Sequence, residues 1–256
     1  MRRPLIAANW KMHLGRPDEA LAFVRSLRPR LGRTGGVDVV LCPPFTVLAP
    51  LAEALGPSPI ALGAQTMHWE EAGARTGEIS PAMLADLCDY VILGHSERRA
   101  SAGPSADDGA IRRKVGAALA HGLAPIVCVG ESAADRDAGR TAEFVGGQVA
   151  SALDGLTAAE ACRCVIAYEP LWAIGSGRSA TPADANRTIE LTIRGTLAGR
   201  LGEAAAARVR VLYGGSVTAE NIADFMAMPG VDGALVGGAS LKPAFAELVR
   251  AAVPAA

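Results

Sequence analysis

Aromatic residues are scarce in this chain: Phe, Trp and Tyr supply only 4% of 256 residues, so the core must be built from Ala, Val, Leu and Ile. Lysine is scarcer still, occurring only as Lys11, Lys114 and Lys242. No block of like charge is present and the formal net charge is -1. That leaves no basic or aromatic platform for a nucleic acid and no electrostatic footprint for a membrane surface. No Cys-x-x-Cys pair occurs. Cys42, Cys88, Cys128, Cys162 and Cys164 mostly lie in or beside apolar runs, where buried neutral thiols are expected, and Cys162-x-Cys164 with a distant histidine is a poor zinc framework. No apolar stretch approaches the roughly 20 residues a membrane span needs. The apolar run after Met1-Arg2-Arg3 is too short for a signal peptide and is broken by Asn9 and Lys11. The expectation is a soluble, cytoplasmic protein without a metal.

What the chain does have is alternation. Short apolar, β-branched runs at 5–9, 37–42, 60–64, 90–94, 125–129, 165–168, 209–212 and 233–236 alternate with amphipathic stretches such as 17–31, 107–120, 141–153, 182–201 and 219–226. Near-continuous apolar strands are expected where both faces of a parallel sheet are buried. Strand–helix units that continue from 1 to 256 without a linker predict an α/β fold, one closed (β/α)8 barrel in a single domain. An open doubly wound sheet is the weaker layout, because no Gly-x-Gly-x-x-Gly with a downstream acidic partner opens the chain.

Polar residues cluster just past the predicted strand ends, which in such a barrel converge on one mouth. Glu169 ends an apolar run and is followed by a Pro-aromatic step, a Gly-x-Gly segment and the helix start Thr181-Pro182-Ala183-Asp184. Alone it reads as a solvated strand end. Beside a loop hinged at both ends it reads as a general base whose pKa rises when the loop excludes water. His95, after the fourth strand, falls in the first turn of a helix begun by Ser96, where backbone N–H groups favour a neutral imidazole able to polarise a carbonyl. Lys11 can face a developing oxyanion, Asn9 can add a neutral donor, and Glu97 can orient its neighbours. Gly214-Gly215-Ser216 and Gly237-Gly238 follow the last two strands, where backbone amides of such barrels hold phosphate, and Gly175 can close over the same group. The ligand so inferred is a small phosphorylated carbonyl compound.

These segments together closely resemble the triosephosphate isomerase family over essentially the whole chain. The resemblance is carried by Ala8-Asn9-Trp10-Lys11-Met12, Gly63-Ala64-Gln65, Thr76-Gly77-Glu78-Ile79-Ser80, Gly94-His95-Ser96-Glu97-Arg98-Arg99, Cys128-Val129-Gly130-Glu131, 168–180, Tyr213-Gly214-Gly215-Ser216-Val217 and Leu235-Val236-Gly237-Gly238. It implies interconversion of dihydroxyacetone phosphate and glyceraldehyde 3-phosphate, in glycolysis and gluconeogenesis, without metal or organic cofactor. It also implies Glu169 as base beside a neutral His95, a known pattern of this family and therefore not an independent finding. Lys11 and Asn9 would stabilise the enediolate, and Gly175, Ser216, Gly237 and Gly238 would hold the phosphate. Loop 65–79 resembles the family's interdigitating loop, implying a homodimer with Thr76 near a neighbour's Lys11. The chain departs from the family pattern at Arg178-Ser179, at Thr66 and Arg75 in the dimer loop, and at Gly103-Pro104-Ser105, where an acidic partner for one arginine is missing. An isomerase of a larger sugar phosphate and a barrel that only binds phosphorylated metabolites are the alternatives; Lys11, His95 and Glu169, all present, speak against the second.

Overall fold

The computed structural model describes residues 2–31, 35–101, 103–173 and 180–253, with backbone alone at Pro104 and Ser105. Its eight strands are β1 (Leu5–Asn9), β2 (Asp38–Cys42), β3 (Ile60–Ala64), β4 (Tyr90–Leu93), β5 (Ala124–Val129), β6 (Val165–Tyr168), β7 (Arg210–Tyr213) and β8 (Gly233–Val236). They pair in sequence order, all parallel, and β1 pairs with β8 to close the barrel. The predicted barrel is therefore the observed one, with strand ends shifted by a residue or so. Among the described residues no helix is long and apolar enough to cross a membrane.

Strand alternation sorts the core into two layers. Leu5, Ala7, Val40, Cys42, Ile92, Ile126, Cys128, Val165, Ala167, Leu212 and Leu235 form one buried cluster inside the barrel. Their neighbours, such as Ile6, Ala8, Leu41, Val127, Ile166 and Val211, pack outward against the helices. The next inward position on each strand closes the barrel at its C-terminal end, and Asn9, Glu169, Gly214 and Gly237 occupy that layer. A period of two residues thus delivers the polar groups to the mouth.

Two helices differ from expectation. The predicted 182–201 helix starts as expected, with the Thr181 hydroxyl accepting from Asp184 N at 3.1 Å and Pro182 in its first turn. It then widens into a π-helical turn, Ile189–Arg194. That turn coincides with an anchor to the barrel floor, where Arg194 Nη2 donates to Gly230 O and to Asp232 Oδ2, both at 2.7 Å. The predicted 219–226 helix begins only at Ile222, because Asn221 Oδ1 accepts from Thr218 N and holds the preceding residues in a turn.

Asp232 is the charge centre of that floor. It is buried, accepts from Arg2 Nε at 2.6 Å and Arg194 Nη2 at 2.7 Å, and also accepts the Val211 N–H at 2.8 Å. Removing one partner of such a cluster strands the others' charge and a strand N–H. Asp232→Ala is expected to cost about 3–5 kcal/mol, read from the midpoint of urea unfolding.

Candidate active site

The first strand ends in a sharp turn that fixes the lysine. Asn9 Oδ1 accepts the Lys11 N–H at 3.0 Å, and Lys11 holds a left-handed φ of 53°. Gln65 braces the turn, its Nε2 donating to Lys11 O at 2.8 Å and Cys42 O at 2.9 Å. Left-handed backbone is costly for a residue with a side chain, so these bonds hold a position the chain would otherwise avoid. The Lys11 ammonium meets Glu97 Oε1 at 2.5 Å.

Glu169 continues β6, with its N–H donating to Val129 O at 2.7 Å, and is only 2% exposed. Its Oε2 accepts the Ser96 N–H at 2.9 Å, and its Oε1 lies 3.0 Å from His95 Nε2. Burial raises the Glu169 pKa above the usual 4.5, with His95, the Ser96 N–H and Lys11 opposing the shift. The Cys128 thiol in the layer below is likewise raised, by burial and then by the Glu169 charge. Gly214 is required here, since a Cβ at that position would come within 2.9 Å of Glu169 Cγ.

The imidazole's role follows from its other nitrogen. His95 Nδ1 accepts the Glu97 N–H at 3.3 Å, from the first turn of helix Ser96–Ser101. With Nδ1 used as an acceptor, the ring proton sits on Nε2 and points at the Glu169 carboxylate. A carbonyl oxygen entering the pocket can take over that hydrogen bond and free the carboxylate to face an adjacent carbon.

These groups line a cavity of about 360 Å³ whose opposite side is formed by Gly214–Thr218 and by Gly237, Gly238, Ala239 and Lys242. Ser240 ties the turn after β8, with its N and Oγ donating to Gly237 O at 2.8 and 2.7 Å. The first N–H groups of the 3-10 turn Gly238–Leu241 have no intrahelical acceptor and suit an anion. The Lys11 stem lies 3.4 Å from where a Gly237 Cβ would stand, so the cation and the anion cradle converge. Asn9, Lys11, His95, Glu169, Ser216, Gly237 and Gly238 therefore share one cavity, with Glu97 reaching it through Lys11 and the His95 ring. Gly175 lies outside the described residues.

The triosephosphate isomerase sequence profile matches residues 4–252. Triosephosphate isomerases of Herpetosiphon aurantiacus and Moorella thermoacetica are each 53% identical to this chain over 252 residues, covering 98% of it and 99% of the relative. That of Roseiflexus castenholzii is 54% identical over 243 residues, 94% of each chain. The chain belongs to the triosephosphate isomerase family. Members of that family are isomerases that interconvert dihydroxyacetone phosphate and glyceraldehyde 3-phosphate, a step of glycolysis.

Within this triosephosphate isomerase framework, several residues were not anticipated as parts of the site. The sequence predicts Ser96 only as a helix start, yet its amide donates to the Glu169 carboxylate. Gln65 was noted for its loop and not for bracing Lys11. Glu131 is wholly buried and accepts from Tyr168 OH and Trp172 Nε1, both at 3.0 Å. The Arg136 guanidinium stacks 4.0 Å over Trp172, so the residue that follows Pro170-Leu171 is clamped on two sides. The missing acidic partner is a correction: Arg99 Nη1 pairs with Asp108 Oδ1 at 2.6 Å, so the acid comes from the next helix start. His68, in the loop after β3, is buried and stacked on Trp69 with centroids 4.1 Å apart.

Proposed function

We propose that this cavity isomerises triose phosphates through an enediolate, with Glu169 as the base. The supporting observation is the pairing of a buried carboxylate with an Nε2–H donor and a helix-terminal amide at one point. From glyceraldehyde 3-phosphate, Glu169 takes the C2 proton while His95 Nε2–H donates to the C1 oxygen. Glu169 then returns a proton to C1, and the C2 hydroxyl proton is lost through His95, leaving dihydroxyacetone phosphate. Lys11 and Asn9 offset the enediolate charge, and Glu97 orients Lys11 and the His95 ring. Ser216, Gly237, Gly238 and Gly175 bind the phosphate, and exclusion of water from the pocket protects the enediolate from phosphate loss. The proposed chemistry uses no metal or organic cofactor. A coupled assay of glyceraldehyde 3-phosphate conversion is expected to give fast turnover that a chelator leaves intact. No turnover by folded protein would sink the reading.

We also propose that the protein acts as a homodimer in the cytoplasm, through loop 65–79. An open groove beside the site, lined by Lys11, Met12, Phe45, Gln65, Thr66 and Arg98, supports this. Met12 is 93% exposed on its rim, apolar surface that a second copy's loop would cover. Thr76→Arg is expected to shift the protein toward monomer in sedimentation velocity; an unchanged dimer would remove Thr76 from the interface. The five unpaired thiols, four of them buried, fit a reducing compartment. Neither a nucleic acid nor a membrane has a part in this reading.

A further inference from the structure

We propose that Lys242 is a second phosphate-recognising cation of the pocket, capturing the substrate's phosphomonoester dianion at the rim and passing it to the amides of Gly237 and Gly238. The inference rests on the isomerase reading and names the group that recognises its substrate's charged end. Among the described residues, Lys11 and Lys242 are the cationic side chains lining the cavity. Their situations differ. Lys11 is half-buried against Glu97, so in the free site its charge is largely compensated, and it stands on the same strand end as Asn9. Lys242 is exposed, and among the described residues it forms no ion pair. The Glu220 carboxylate, itself engaged by Thr218, lies near enough to feel its charge.

Its tether supports the role. Lys242 ends the 3-10 turn Gly238–Leu241 in extended backbone, with φ of -108° and ψ of 149°. Its N–H donates to Ala239 O at 3.4 Å. The ammonium therefore rides on the turn whose opening amides form the anion cradle, on a flexible four-carbon arm. An exposed cation held in no ion pair acts at long range on a dianion and raises its encounter rate and weak binding, with little hold on the proton transfers deeper in the pocket.

A charge series tests this. Lys242→Met is expected to lower kcat/KM for glyceraldehyde 3-phosphate about fivefold at low ionic strength, mainly through KM, with the gap closing as salt is added. Lys242→Glu should lose more, and Lys242→Arg should stay near wild type. Identical kcat/KM and salt dependence across the series would overturn the proposal. So would a loss confined to kcat and shared by Lys242→Arg, which marks a structural role. Inorganic phosphate titrated onto folded protein by calorimetry gives a readout independent of turnover: weaker binding by Lys242→Met is expected, and equal binding would overturn the assignment. Absence of turnover in the wild type would count against the isomerase reading, not against this anion site.

Discussion

Glu169→Asp is expected to lower kcat about 100-fold while leaving the fold intact, because one fewer methylene withdraws the carboxylate by about 1 Å from the carbon it must reach. The backbone has no means of following. Glu169 N is bonded to Val129 O, Tyr168 O accepts from Gly214 N, and Gly214 leaves room only for the glutamate stem. The shortened acid also loses the Ser96 amide and the His95 Nε2 contact that now hold both oxygens. Steady-state kinetics beside thermal unfolding separate the two effects; unchanged turnover would remove Glu169 from the mechanism.

The same residue sets a pH dependence of known sign. Burial raises its folded-state pKa above the usual 4.5, so the folded protein holds that proton more tightly than the unfolded chain does. Its contribution to stability is therefore greatest below 4.5 and declines as pH rises through the folded value. Ionised Glu169 is a cost to the fold, which the proposed base role would explain. Glu169→Gln should be at least as stable as wild type at neutral pH while inactive. The acid limb of kcat/KM should lie above that of an ordinary glutamate. An acid limb at or below 4.5 would contradict the desolvated base.

The second large effect is expected at Lys11. A cation about 4 Å from a developing oxyanion in a partly sheltered site contributes about 4 kcal/mol at an effective dielectric near 20, so Lys11→Met should lower kcat/KM about 10³-fold. Stability should change little, since the Glu97 carboxylate left behind is largely exposed and its pairing with Lys11 contributes little to the fold. Affinity for phosphoglycolate should fall with it, because the Lys11 stem approaches Gly237 at the anion cradle. Retained affinity would confine Lys11 to the oxyanion, and retained activity would remove it from the site.

The sequence carried the barrel because strands buried on both faces read as continuous apolar runs, and their alternation places the next inward residue at the mouth. Asn9 and Glu169 were legible for that reason, each standing two positions beyond an inward alanine. His95 was legible through its helix start, although the tautomer needed the Glu97 N–H geometry. What stayed hidden depends on contacts across the chain. Asp108 reaches Arg99 from a separate helix, Arg194 reaches Asp232 through a π-helical turn, and Lys242 enters the pocket by way of the turn after β8. Glu131 gave no sign of its burial, because its partners Tyr168 and Trp172 lie on another strand end. None of these pairings has a local periodicity to betray it.

The central claim is that a proton, carried by Glu169, moves between adjacent carbons. It is tested most directly by running glyceraldehyde 3-phosphate through the enzyme in D2O and reading the product by proton NMR. A carboxylate that takes a proton can exchange it with solvent before returning it. The account therefore predicts dihydroxyacetone phosphate carrying a single deuterium at C1 in a substantial fraction of molecules. Product formed at full rate with no deuterium at C1, and none at C2 of the recovered substrate at any extent of reaction, would mean that the hydrogen never reaches a group in exchange with solvent, as in a direct hydride shift, and would contradict Glu169 as an exchanging base.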